Sequence, residues 1–339
     1  MKPIKPIIVL VSVLFVMTIV IPTMLVLPFS DKEAGKLAEE HQSNPETPQI
    51  ASGPTVEVAV YRASSSNIEN VPLEEYVIRV LASEMPAEFE LEALKAQALA
   101  ARTYIVRQML SENKPEVPQG AVVTDTTDHQ VYHNREELKK IHKEDYDWKI
   151  EKITKAVAET QGQILTYDGA PIDALFFSTS NGYTENSEDY YQAELPYLKS
   201  VESPWDVNTE KFHSQTEMTI SEFEKRLGIE LGDSNEVGKV TARTSTNRVA
   251  SVEVGGKTFT GREIRTALGL RSTDFTWERK GNHVVIQTKG YGHGVGMSQF
   301  GADGMAKEGK TYKDIVSHYY QGVQISSATD FMNKLTVKK

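Results

Sequence analysis

Cysteine is absent from all 339 residues, which removes disulfides, thiol nucleophiles and thiolate metal ligands and leaves any metal to histidine and carboxylates. Positive charge is also short. The 37 Lys and Arg residues face 47 Asp and Glu, a net charge of −10, the wrong sign for binding a phosphate polymer, so nucleic acid is excluded as a partner. With 39% hydrophobic and 25% charged residues, the composition is that of a globular protein and excludes a collagen-like, wholly disordered or multi-span membrane chain.

One segment lacks charge altogether. Residues Ile7 to Leu27 are apolar except Ser12, Thr18, Pro22 and Thr23, and as a helix they would cross a hydrocarbon core of about 30 Å. Lys2 and Lys5 precede the run, while Asp31, Glu33, Glu39 and Glu40 follow it. That asymmetry predicts a short cytoplasmic tail at residues 1–6, a single-pass anchor at 7–27 and an extracytoplasmic remainder. A cleaved signal peptide is the competing reading, but Leu25-Val26-Leu27-Pro28-Phe29 offers no small-x-small cleavage site. Residues 28–54, poor in apolar side chains, read as a flexible linker.

Beyond the linker the patterning is mixed α+β. Val56, Val58 and Val60 alternate with Thr55, Glu57 and Ala59 as a half-buried strand. Pro72 opens a predicted helix through Leu81, and Pro86 ends regular structure after Ala82-Ser83-Glu84-Met85. A longer helix follows from about Leu91 to Leu110, with Leu94, Ala98, Ala101, Ile105 and Met109 as one apolar stripe and Lys95 and Arg102 on another face. Further on, helices are expected over Thr219 to Leu231, Ser298 to Lys307 and Tyr312 to Tyr320. Strands are expected over Ile172 to Phe177 and Val249 to Val254, with a hairpin around Gly281-Asn282. Trp205 and Trp277 read as core residues.

Glu84 falls at the break between the first two helices, beside Leu81, Met85 and Pro86. A carboxyl group in a partly apolar setting holds its proton to higher pH and can act as a general acid near neutrality. A helix-terminus charge is the plainer alternative. Ser178-Thr179-Ser180-Asn181-Gly182 reads either as a tight turn or as a hydroxyl-and-amide loop for sugars, with Tyr183, Tyr190 and Tyr191 as stacking faces. The run from Gly290 to Gly296 fails the GxGxxG test, because Val295 and Met297 stand where glycine is needed. Its glycines instead let the backbone pack closely or approach a ligand, with His293 either structural or sugar-binding.

These segments carry a resemblance. Val71-Pro72-Leu73-Glu74-Glu75-Tyr76-Val77, Ser83-Glu84-Met85-Pro86 and the run Glu92 to Tyr104 resemble the stage II sporulation protein D family. So do Phe177 to Glu185, Pro196-Tyr197-Leu198, Pro204-Trp205-Asp206 and Gly292 to Ala302. The resemblance implies a membrane-anchored lytic transglycosylase that cleaves peptidoglycan glycan strands, stripped of their stem peptides, in septal wall degradation and forespore engulfment. It implies Glu84 as the catalytic acid and base, and as partners a cell-wall amidase and a second membrane protein. A non-catalytic enhancer of a partner amidase and a water-using glycosidase stay open as alternatives.

The expected architecture is thus an N-terminal transmembrane helix and a two-lobed ectodomain: a catalytic lobe over residues 55–204, a second lobe over 205–288, and a C-terminal segment over 289–339 that completes a groove. Lys95, Arg102, Ser178, Ser180, Asn181, Tyr183, His293 and Gln299 are the expected substrate-binding residues. Some members of the family carry zinc through Cys and His. Here His129, His133 and His142 with Asp125 and Asp128 are the only counterparts, so no metal and no cofactor is assigned.

Overall fold

The computed structural model describes residues 56–111, 117, 118, 120–232 and 236–337. The expected anchor at 7–27 and linker at 28–54 lie outside them. Among the described residues no helix is long and apolar enough to cross a membrane.

Alternation builds the first sheet. Strand β1 (Glu57–Arg62) buries Val58 and Val60 and pairs antiparallel with β2 (Asn67–Pro72), Val58 opposite Val71; the short β3 (Val123–Thr124) adds on its other edge in parallel. Helix α1 follows directly as Leu73–Glu84, three residues beyond the predicted end. Its stop is set by Pro86, whose ring forces the preceding Met85 out of the helical region to φ −131°, ψ 135°. Glu84 is therefore the last helical residue, not part of a separate break.

Helix α2 (Leu91–Leu110) runs through the centre of the main core. It is buried around most of its circumference: α1, α4 (Tyr146–Glu159), α8 (Gln299–Lys307), α9 (Tyr312–Tyr319) and strand β4 (Gln163–Tyr167) all pack on it. Its alanines, including Ala93, Ala96, Ala98, Ala100 and Ala101, allow these close approaches. One apolar stripe was the expectation; the observed helix is surrounded, so its polar residues are buried too. Between α2 and α4 lies α3 (Arg135–His142), opened by an Asn134–Glu137 capping box. β4 pairs with β5 (Ala170–Pro171) and with β14 (Gln324–Ser327), which leads to α10 (Thr329–Val337).

A second core draws on residues 218–286. Here β7 (His213–Thr219), β12 (His283–Lys289) and β11 (Phe275–Lys280) form one antiparallel sheet, and β8 (Lys239–Arg243), β9 (Val249–Val254) and β10 (Lys257–Thr260) form another. Helices α6 (Ile220–Leu227) and α7 (Gly261–Leu268) pack with them through Phe223, Ile264 and Leu268. α6 ends four residues before the predicted stop because Gly228 adopts a left-handed φ of 64°. Trp277 packs on this core, and Trp205 on the main one.

The strand expected over Ile172 to Phe177 shortens to β6 (Phe176–Phe177). It pairs in parallel with β13 (Met297–Ser298), Met297 opposite Phe176. This small pairing brings the Ser178–Gly182 loop and the Gly-rich loop together; α5 (Ser187–Tyr191) lies beyond the former.

Candidate functional site around Glu84

Glu84 is half-buried at the C-terminal end of α1. Its Oε1 accepts the backbone N–H of Val131 at 2.8 Å, and among the described residues no Lys or Arg pairs with it. Burial pushes the carboxyl above its ordinary pKa of 4.5, opposed only by that one hydrogen bond. The covering loop is tied down beside it: His133 Nδ1 lies 2.9 Å from Ser83 Oγ, and Ser83 Oγ donates to Arg79 O at 2.7 Å. Tyr76, fully buried, donates to Gln130 Oε1 at 3.1 Å and stacks on Tyr132 at 5.7 Å.

The other wall is α8. Gln299 Nε2 donates to Glu84 O at 3.1 Å, Phe89 meets Phe300 edge to face at 4.8 Å, and Glu90 N donates to Asp303 Oδ1 at 2.8 Å. Three contacts thus clamp the segment after Glu84 to the first turns of α8, itself capped by Ser298, which accepts from Gly301 N.

The serine loop is organised around Asp206, a fully buried carboxylate. Ser180 Oγ and Ser203 Oγ donate to Oδ2 at 2.7 and 2.6 Å, and Ser298 Oγ to Oδ1 at 2.7 Å. Ser180 has no exposed surface, so its hydroxyl is an internal tie. Asn181 Nδ2 donates to Thr246 O and Asp274 Oδ2, both at 2.8 Å, linking the loop to the second core. A cavity of about 520 Å³ opens beside Asp274, lined also by His213, Asn247, Gln287 and Lys289. Ser178 contributes its carbonyl to Phe300 N and Ser298 Oγ. Tyr183 stands free to solvent, 47% exposed.

His293 has one defined tautomer. Its Nδ1 accepts from Val295 N at 3.1 Å, so Nε2 carries the hydrogen and donates to Phe176 O at 3.0 Å. Burial, with the charges of Arg265, Arg248 and Arg262 added, pushes its pKa down to about 4. It is a neutral residue that braces the β6–β13 junction.

Lys95 and Arg102 lie elsewhere. Lys95 is held between Glu92 at 2.6 Å and Glu159 at 2.5 Å. Arg102, with no exposed surface, makes a forked pair with Glu74 and donates to Val157 O and Gln163 O. The expectation that these two line a groove is corrected: α2 is enclosed by its neighbours, and both cations serve packing. Nor do the histidines converge. His129 Nδ1 lies 3.0 Å from Thr124 Oγ1, Asp125 pairs with Arg62, and among the described residues no three His, Asp or Glu side chains form a metal-binding group.

The structure therefore joins Glu84 with Gln299, and sets Ser178, Ser180, Asn181 and His293 on the two loops that meet at β6–β13. Sequence reasoning missed Val131 and Ser83 as partners of this site, since no pattern links a loop to a helix end. It also missed the role of Asp206, although Pro204-Trp205-Asp206 was itself a recognisable motif.

Known proteins place the chain. The profile described as "Stage II sporulation protein" matches residues 61–167, which include Glu84, Val131 and His133. The chain is 52% identical over 335 residues to stage II sporulation protein D of Bacillus subtilis (strain 168), spanning 97% of this chain and 98% of that protein. It is 50% identical over 344 residues to stage II sporulation protein D of Bacillus amyloliquefaciens, spanning 99% and 100%. A more distant relative is the amidase enhancer of Bacillus subtilis (strain 168), 30% identical over 302 residues, spanning 73% of this chain and 40% of that protein. Glu84 and the loops around it sit in a chain similar to these sporulation proteins over nearly its whole length, and the protein belongs to the stage II sporulation protein D family.

Proposed function

We propose that the protein is a lytic transglycosylase that acts on the peptidoglycan of the sporulating cell, anchored by residues 7–27 with its catalytic part outside the membrane. The observation that carries the reading is the state of Glu84: one half-buried carboxyl, its pKa raised by burial, held by a single backbone N–H and paired with no cation. A water-using glycosidase works with two carboxyl groups at a defined separation. One carboxyl suffices when the nucleophile is part of the substrate. Protonated Glu84 donates to the glycosidic oxygen between N-acetylmuramic acid and N-acetylglucosamine. The resulting carboxylate then takes the proton of the muramyl C6 hydroxyl as that oxygen attacks C1, giving a 1,6-anhydro end. Tethering replaces the placement of a water. The polar cavity beside Asp274 and the exposed ring of Tyr183 offer hydroxyl-binding groups and a stacking face for the strand.

The second reading, an enhancer of a cell-wall amidase without catalysis of its own, is favoured by the name of the more distant relative. Mass spectrometry of glycan strands treated with the full-length protein in detergent separates the readings. Anhydro-muramyl ends that vanish with Glu84→Gln support the transglycosylase. Reducing ends indicate a hydrolase, and no new ends without an amidase indicate the enhancer.

A further inference from the structure

Most described arginines of this acidic chain are matched to carboxylates: Arg62, Arg79, Arg102, Arg107, Arg135, Arg226, Arg243 and Arg248 each have an acid within 4.0 Å. Arg262 and Arg265, one turn apart on α7, have none among the described residues. They face aromatic rings of the other core. The Arg262 guanidinium lies 5.2 Å from the Tyr190 ring centroid and 5.5 Å from that of Tyr191, while Arg265 Nη1 donates to Tyr190 Oη at 2.8 Å and its buried Nε has no partner. Tyr190 and Tyr191 meet edge to face at 4.8 Å, and both rings lie within 6 Å of His293, at 5.9 and 5.8 Å.

The acids nearby are already engaged. Glu263 accepts from Thr260 N and Oγ1 in the cap of α7, Glu188 pairs with Lys199, Asp189 accepts from Asn186, Asp173 pairs with Arg107, and Glu185 accepts from Thr244 and Thr246. Among the described residues Arg262 and Arg265 thus stand without an ion-pair partner where the two cores meet, beside an aromatic face with Tyr191 37% exposed.

We propose that Arg262, Arg265 and the Tyr190–Tyr191 face form a subsite for a carboxylate-bearing sugar, the arginines taking the carboxylate and Tyr191 stacking on the pyranose ring. The inference rests on the glycan reading above, and within it the ligand is the free lactyl carboxylate of a muramic acid unit that has lost its stem peptide. His293 beside this subsite and Gln299 at Glu84 are six residues apart, from the Gly-rich loop to the first residue of α8, so their Cα atoms lie no more than about 20 Å apart. A peptide-bearing unit presents an amide there in place of the carboxylate, so the subsite selects stripped strands.

The test measures binding by full-length protein in the Glu84→Gln background, so that strands stay intact. Probes are muramic-acid-containing strands freed of peptides, the same strands bearing peptides, and N-acetylglucosamine oligomers, which lack the lactyl group. The stripped strand should bind about tenfold more tightly than either of the others, the size of one charge-assisted contact, and the preference should shrink with salt. Arg262→Gln, at an exposed side chain with no hydrogen bond to lose, should abolish the preference and leave binding of the oligomer unchanged; Arg262→Lys should restore part of it. Equal binding of all three probes, or a preference that survives Arg262→Gln with Arg265→Gln, overturns the proposal. If the preference holds but the wild-type protein makes no anhydro ends, the transglycosylase reading fails and the subsite stands.

Discussion

The backbone N–H of Val131 lies 2.8 Å from Glu84 Oε1, a contact that joins a loop to a helix end across 47 residues of chain. It orients the carboxyl without neutralising it. A salt bridge to Lys or Arg would pull the pKa down and remove the acid; a lone N–H leaves burial in control.

That balance predicts a pH-dependent stability difference. Because the folded-state pKa of Glu84 is raised above 4.5, its contribution is fully present below that value and is lost as pH rises through the folded pKa. Glu84→Gln keeps an acceptor for Val131 N and never ionises. It should melt like the wild type at pH 4 and be more stable by about 1 kcal/mol at pH 7, the usual gain on relieving a functional site. Calorimetry across that range checks the sign; a less stable variant at pH 7 would show that the carboxylate is not strained.

Arg102 and Glu74 form a forked ion pair around a guanidinium with no exposed surface. Removing only the cation, as in Arg102→Ala, leaves Glu74 beside the core uncompensated, and the expected loss is about 3–5 kcal/mol in denaturant unfolding. Replacing both partners by apolar residues of similar size should cost much less. Equal costs would mean that the pair itself, not the stranded charge, carries the effect.

His293 should remain neutral with its hydrogen on Nε2 down to about pH 5, as its pKa is pushed to about 4 from 6.5. Nitrogen-resolved NMR of the ring reads both tautomer and titration. The linkage sign is the opposite of that at Glu84: the contribution of His293 is complete above pH 6.5 and is lost as pH falls toward 4, since the folded protein resists the proton that the unfolded chain accepts.

Gly301 lies in the first turn of α8 against Tyr319 Oη, Ser203 Oγ and Asp206. A methyl group there would push apart the hydroxyls that satisfy the buried Asp206. Gly301→Ala should cost about 2–3 kcal/mol in spite of alanine's better helix propensity. Gly309→Ala makes the control for steric fit, since nothing stands within 4 Å of its Cβ position, although its φ of +81° adds backbone strain.

Local rules wrote much of the secondary structure into the sequence. Val58 and Val60 set β1, Pro86 set the end of α1, Thr219, Thr260 and Thr311 set the starts of three helices, and the Gly281-Asn282 turn set the β11–β12 hairpin. Glu84 stands out through the Ser83-Glu84-Met85-Pro86 motif of the family the chain resembles, since a carboxyl at a helix end is by itself more often a terminus charge. What the sequence alone did not determine is which faces meet. Periodicity puts Lys95 and Arg102 on one side of α2, but whether that side is a groove or an interior depends on Glu74 and Glu159, 28 and 64 positions away from their respective partners. The solvation of Glu84, the tautomer of His293 and the unmatched arginines of α7 likewise come from contacts between distant segments. Burial and charge pairing are properties of neighbours in space, and only the folded chain brings those neighbours together.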